Sequence, residues 1–175
     1  MNLILSDCPL CLELAPQDTL IDLFSLNIHH CVGCFQYWVK TPGKCVICDD
    51  AVHVYPCIAK NQHLIIVSQM KFGSFNTIMK TMLERTLPIQ QPFIRLHRRE
   101  THHVLRDVKN KKATLIIYGT YDEEEKQIFR KLIQRNEYNM NFDSSQILFV
   151  ETSQLSETIA NNMLKFFKIM CIVIS

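Results

Sequence analysis

Five short runs of nearly unbroken apolar residues, separated by stretches of helical periodicity, constrain this chain more than any other feature. Asn2–Ser6, Thr19–Phe24, His63–Ser68, Thr114–Tyr118 and Gln146–Val150 are five or six residues long and rich in Leu, Ile and Val. Continuous apolarity, in place of in–out alternation, suits strands covered on both faces, as in a parallel sheet. The intervening segments carry helix punctuation. Ser74–Leu87 spaces Ile78, Met79, Met82 and Leu83 on one face and stops at Pro88. Asp122 can cap the next helix, Glu123, Glu124 and Glu125 suit its positive end, and Ile128, Phe129, Leu132 and Ile133 form its stripe. A last helix can begin at Ser153 or Ser156, with Leu155, Ile159 and Met163 on one side. Ala51–Lys60 is a weaker pattern that Pro56 disturbs, with Asp49 and Asp50 read as its caps. This order of elements predicts an α/β fold with a mostly parallel sheet.

One connection is abnormal. About eleven residues, Asp7–Gln17, join the first two strands, and a parallel crossover needs roughly ten to twelve, helix included. Pro9 and Pro16 shorten the room further, so the first helix is expected to be missing or vestigial. A sheet face left bare by that loss would be a large apolar patch. The C-terminal Phe166, Phe167, Ile169, Met170, Ile172, Val173 and Ile174 are expected to cover it, or a second subunit, which makes a homo-oligomer the expected assembly.

Composition narrows the function. A chain of 175 residues fits one domain, 1–175. An apolar fraction of 47% with 21% charged residues excludes disorder, and a net charge of +2 is too small for the broad field of non-specific nucleic-acid binding. Residues Arg95–Lys112 are strongly basic, but no aromatic platform accompanies the charge, and they read as a solvated connection before the fourth strand. Met163–Ile174 is interrupted by Lys165 and Lys168 and too short to span a bilayer. The first residues lack a positive start and reach Asp7 quickly, so a cytoplasmic protein with no membrane partner is expected. There are only 4 glycines, which speaks against a glycine-rich phosphate loop.

Six of the eight cysteines form three C-x-x-C pairs: Cys8/Cys11, Cys31/Cys34 and Cys45/Cys48. Without an export signal, reduced thiols, a metal site or redox chemistry fit better than a disulfide scaffold. Cys31, Cys34, Cys45 and Cys48 have zinc-knuckle spacing, with His29, His30 and Cys57 as substitute ligands. On the residues alone, structural thiols and zinc both stay open.

The segment Asn27–Asp50, with Cys31/Cys34, Trp38, Lys40, Pro42-Gly43-Lys44-Cys45 and Asp49-Asp50, resembles the stretch after the second strand in NADPH-dependent FMN reductase-like flavoproteins of the flavodoxin-like superfamily. Ser68–Ser74, Lys80 and Glu84-Arg85 continue the likeness. The resemblance implies a three-layer fold on a parallel five-stranded sheet of order 2-1-3-4-5, with FMN at the carboxyl ends of the strands. It implies a flavin ring held by Ser68, Gln69, Met70, Lys71, Phe72, Gly73 and Ser74, and by Gly119, Thr120 and Tyr121. Phe72 or Tyr121 would stack on that ring, Gly73 would let backbone approach it, and NAD(P)H would supply the hydride. Similar cysteines in the family serve as thiols or hold an iron–sulfur cluster, but Tyr37 stands where the cluster's compact third cysteine belongs. The loop after the first strand departs from the pattern. It reads Ser6-Asp7-Cys8-Pro9-Leu10-Cys11-Leu12-Glu13, with no glycine and two acids, and is not recognisable as an FMN phosphate loop. The expected function is thus a flavin-dependent oxidoreductase similar to NAD(P)H-dependent FMN reductases. A non-flavin binding or assembly protein of the same fold and a zinc-stabilised interaction protein are the alternatives.

Overall fold

The computed structural model describes residues 2–97 and 99–162. In chain order, β1 (Asn2–Ser6) and β2 (Thr19–Asp22) precede the short helix α1 (Gln36–Val39) and α2 (Ala51–Lys60). β3 (His63–Lys71) folds back on the two-residue β4 (Ser74–Phe75), followed by α3 (Thr77–Glu84), β5 (Gln90–His97) and β6 (Glu100–Leu105). β7 (Lys111–Tyr118), α4 (Glu123–Met140) and β8 (Phe142–Val150) come next, and a helix α5 runs over 155–162. Five strands are parallel in the order β2-β1-β3-β7-β8, the 2-1-3-4-5 arrangement implied by the resemblance. The central strands are the apolar runs: Leu64 through Ser68 of β3 and Ala113 through Tyr118 of β7 are buried.

The two faces of the sheet are covered differently. Leu3, Leu5, Leu64, Ile66, Leu115 and Ile117 point to the side occupied by α2, α3 and α4, through residues such as Tyr55, Ile58, Met79, Met82, Phe129 and Ile133. Ile4, Ile65, Val67 and Ile116 point the other way, where Leu155 and Ile159 of α5 meet them. No helix forms between β1 and β2, as their short connection requires. Leu10, Leu12 and Leu14 pack on this second face instead, alternating with exposed Pro9, Cys11 and Glu13. An extended strip of period two thus replaces a helix. The expected covering by Phe166–Ile174 lies outside the described residues.

Several local expectations are corrected. Pro56 does not interrupt α2, because Val54, Tyr55, Ile58 and Ala59 bury the face that holds its turns together. β2 ends at Asp22, whose carboxylate accepts from Phe24 N at 3.0 Å and turns the chain. α3 begins only at Thr77, where Asn76 accepts from Met79 N at 3.1 Å. The basic stretch is not a plain loop: β5 and β6 pair as an antiparallel hairpin. Glu100 anchors it to α4 through Arg135 at 2.7 and 2.8 Å. Asp122 and Glu125 do form the start of α4, as a reciprocal capping box. Among the described residues, no helix is long and apolar enough to cross a membrane.

Candidate functional site

The carboxyl ends of β1, β3 and β7 meet at one corner of the sheet, and a buried carboxylate sits there. Asp7 follows β1 directly and is 3% exposed. Its Oδ2 accepts from Ser68 Oγ at 2.6 Å and from Gln69 N at 3.0 Å, and its Oδ1 accepts from Tyr118 Oη at 3.0 Å. Burial raises the Asp7 pKa above the usual carboxylate range despite these three bonds. Burial, the nearby Cys8 thiol and Asp7 together raise the Tyr118 pKa. Among the described residues Asp7 makes no ion pair. The sequence reading missed both Asp7 and Tyr118 as site residues. A lone acid following the first apolar strand, level with a serine on the adjacent strand, was the available signal.

The β3–β4 hairpin forms the wall beside this corner. Phe72 (φ 51°) and Gly73 (φ 66°) make its two-residue turn, with backbone in the left-handed region that such turns require. Gly73 is needed for packing as well as for the turn, since a Cβ there would lie 2.7 Å from Ile128 Cγ2 of α4. Phe72 projects outward, 92% exposed. Below it an open cleft of about 350 Å³ is lined by Gln69, Lys71, Phe72, Asn76, Thr77 and Lys80, among others. Gly119, at φ 115°, lies against Gln69, with its Cβ position 3.3 Å from Gln69 Cγ.

The ten residues expected at the ring divide accordingly. Gln69, Lys71 and Phe72 line the cleft, and Ser68 donates to Asp7. Met70 is buried in the core, Ser74 is half-buried opposite Lys71, and Thr120 is exposed. Tyr121 turns towards β8: its hydroxyl donates to Val150 O at 3.0 Å and its ring packs on Phe149.

The cysteine segment is clamped from beneath. Arg85, 1% exposed, donates to both oxygens of Asp49 at 2.6 and 2.8 Å, to His29 O at 2.7 Å and to Cys45 Sγ at 3.4 Å. Asp49 also accepts from His29 N at 2.8 Å and Ala51 N at 3.2 Å. Burial raises the Asp49 pKa, but the Arg85 guanidinium and the backbone donors outweigh it and hold that pKa below the ordinary range. Asp49 is therefore mainly the partner of Arg85, and Asp50 accepts from Asn27 N at 2.8 Å rather than capping α2 with its side chain. The zinc expectation on Cys31, Cys34, Cys45 and Cys48 is not met. Among the described residues, no three His, Cys, Asp or Glu side chains gather as metal ligands, and the seven described cysteines are free thiols. What the segment builds instead is an aromatic shelf: Trp38 stacks on Phe35 at 5.2 Å and donates from Nε1 to Gln90 O at 3.1 Å.

No protein-family pattern matches this chain, and no curated protein matches it in sequence. Solved structures do match. An FMN-dependent NADH-azoreductase from Bacillus anthracis str. Ames Ancestor, in complex with FMN, superposes with a TM-score of 0.56 at 10% identity, over 97% of this chain and 98% of that one. The azoreductase AzrA superposes at 0.53 and an azoreductase from Bacillus anthracis str. Sterne at 0.54, each 12% identical over 96% of this chain and 97% of its own. At such identities the likeness establishes the fold, which is flavodoxin-like.

Proposed function

On a flavodoxin-like fold, we propose that this chain is a flavin-dependent oxidoreductase that holds a flavin ring in the cleft under Phe72 and takes reducing equivalents from NAD(P)H. One observation carries the reading: an open cleft at the carboxyl edge of the parallel sheet, where open α/β sheets bind ligands, walled by an exposed aromatic side chain. The ring fits the residues present. Phe72 offers a face for stacking, the β3–β4 turn and Gly119 keep the backbone close, and Lys71 and Lys80 make the cleft positive. That potential favours an electron-rich, reduced ring. The phosphate of FMN does not fit the usual place, because the loop after β1 offers neither glycines nor a helix N-terminus. When bound, a flavin supplies hydride acceptance and onward electron transfer, and the protein supplies position and polarity. The likeness to a structure described as an FMN-dependent NADH-azoreductase supports the same reading.

The test is a titration of the protein with riboflavin and FMN, followed by quenching of flavin fluorescence. Saturable micromolar binding of either flavin is expected, with Phe72→Ala weakening it about tenfold, the loss of one good stacking contact. Absence of binding for both flavins at high micromolar concentration rejects the reading. It would favour the second one, a binding or assembly protein without flavin, to which the exposed Phe93, Ile94 and Leu96 of β5 would then belong.

A further inference from the structure

In a doubly wound sheet that binds nucleotides, the end of the first strand holds the phosphate, using backbone N–H groups of a glycine-rich turn and a helix N-terminus. Here the same corner is filled by the chain itself. The Asp7 carboxylate takes Ser68 Oγ–H, the Gln69 N–H and Tyr118 Oη–H, the donors that an incoming anion would need. Gln69 is shared: its backbone serves Asp7 and its residue lines the cleft. No helix follows β1, so no macrodipole compensates a second negative group, and Leu10, Leu12 and Leu14 occupy the face where that helix would lie. Among the described residues no ion pair neutralises Asp7.

Resting on the flavin-ring reading above, we propose that this site selects a planar ring carrying an uncharged polyol arm and rejects the phosphate ester of the same molecule, taking riboflavin in preference to FMN. A phosphate dianion arriving at this corner would place like charge beside a buried carboxylate that already holds the Ser68 Oγ–H, Gln69 N–H and Tyr118 Oη–H donors. A hydroxyl has the opposite character. It donates, and a carboxylate holding three hydrogen bonds still has an acceptor site to spare. Asp7 thus stands in for the missing phosphate and makes its place an acceptor of hydroxyls.

The experiment compares riboflavin with FMN on the full chain at one pH and ionic strength. Riboflavin is expected to bind at least about tenfold more tightly. Asp7→Asn, nearly the same shape without the charge and with one acceptor oxygen fewer, is expected to close most of that gap from both sides, strengthening FMN and weakening riboflavin. Inorganic phosphate at tens of millimolar is expected not to displace riboflavin from the native protein. If FMN binds as tightly as riboflavin or more so, this inference is overturned while the ring reading stands, and Lys71 and Lys80 become the phosphate's partners. If neither flavin binds, the ring reading falls and takes this inference with it. Should Asp7→Asn fail to fold, the riboflavin-to-FMN ratio and the phosphate competition on the native chain decide the matter alone.

Discussion

Arg85 and Asp49 show how a charged pair outside the cleft lining positions the most distinctive segment of the chain. Both side chains are almost completely buried, 1% and 2% exposed, and the guanidinium reaches three separate points of the loop, at His29, Ile47 and Cys45. Removing one partner leaves a buried charge uncompensated, so Asp49→Ala is expected to cost about 3–5 kcal/mol by urea denaturation. The same variant should speed maleimide labelling of Cys45, which Arg85 contacts directly. Because the Asp49 pKa is lowered on folding, its contribution is present above the ordinary carboxylate pKa and is lost as pH falls through the folded value. Lys111 behaves in the opposite sense. It is 1% exposed, donates to Lys109 O at 2.7 Å, and burial lowers its pKa to about 8. The unfolded chain keeps that proton when the folded one has released it, so stability should rise with pH above about 8, gaining about 2 kcal/mol by about pH 9.5. Lys111→Met should abolish that slope. A slope unchanged in the variant would show that the charge of Lys111 is not the cause.

At the level of elements, the central strands β1, β3 and β7 were legible because strands buried on both faces must be continuously apolar, and the α4 start was legible because its capping box is local. The missing first helix was legible from the short connection Asp7–Gln17 and its two prolines. Its replacement was not: Leu10, Leu12 and Leu14 alternate with exposed residues, but over only five positions between two prolines, too short a pattern to outweigh loop chemistry. The β5–β6 hairpin escaped notice because Arg95, Arg99, Glu100, His102 and His103 interrupt its apolar residues and its register shifts between Gln90 and Ile94, which breaks any clean alternation. The β3–β4 turn was read as a ligand-side glycine, and its packing against α4 depends on a contact about 55 residues away in sequence that no local pattern announces. Gly73→Ala is expected to destabilise by about 1–3 kcal/mol, from the left-handed backbone and the Ile128 contact together. Ile128→Ala in the same background should recover the contact part only, which separate melts of the single and double variants would resolve.

For the whole molecule, one sheet with unequal faces organises everything else. Three helices seal one side, while α5 and a leucine strip cover what is described of the other, and the loop that lost its helix also lost the usual means of holding a phosphate. The motif segments identified from sequence build a clamp around Arg85 and a hairpin over the cleft proposed for the ring. The corner at Asp7 was not legible in the sequence, because it depends on three strands ending at the same level. The measurement that tests the account most directly is hydrogen exchange of the full chain with and without saturating riboflavin. Slower exchange in peptides spanning residues 69–78 and 118–121, with residues 90–105 unchanged, is the predicted result. Protection confined to the β5–β6 hairpin, or absent altogether, would contradict a ring seated under Phe72.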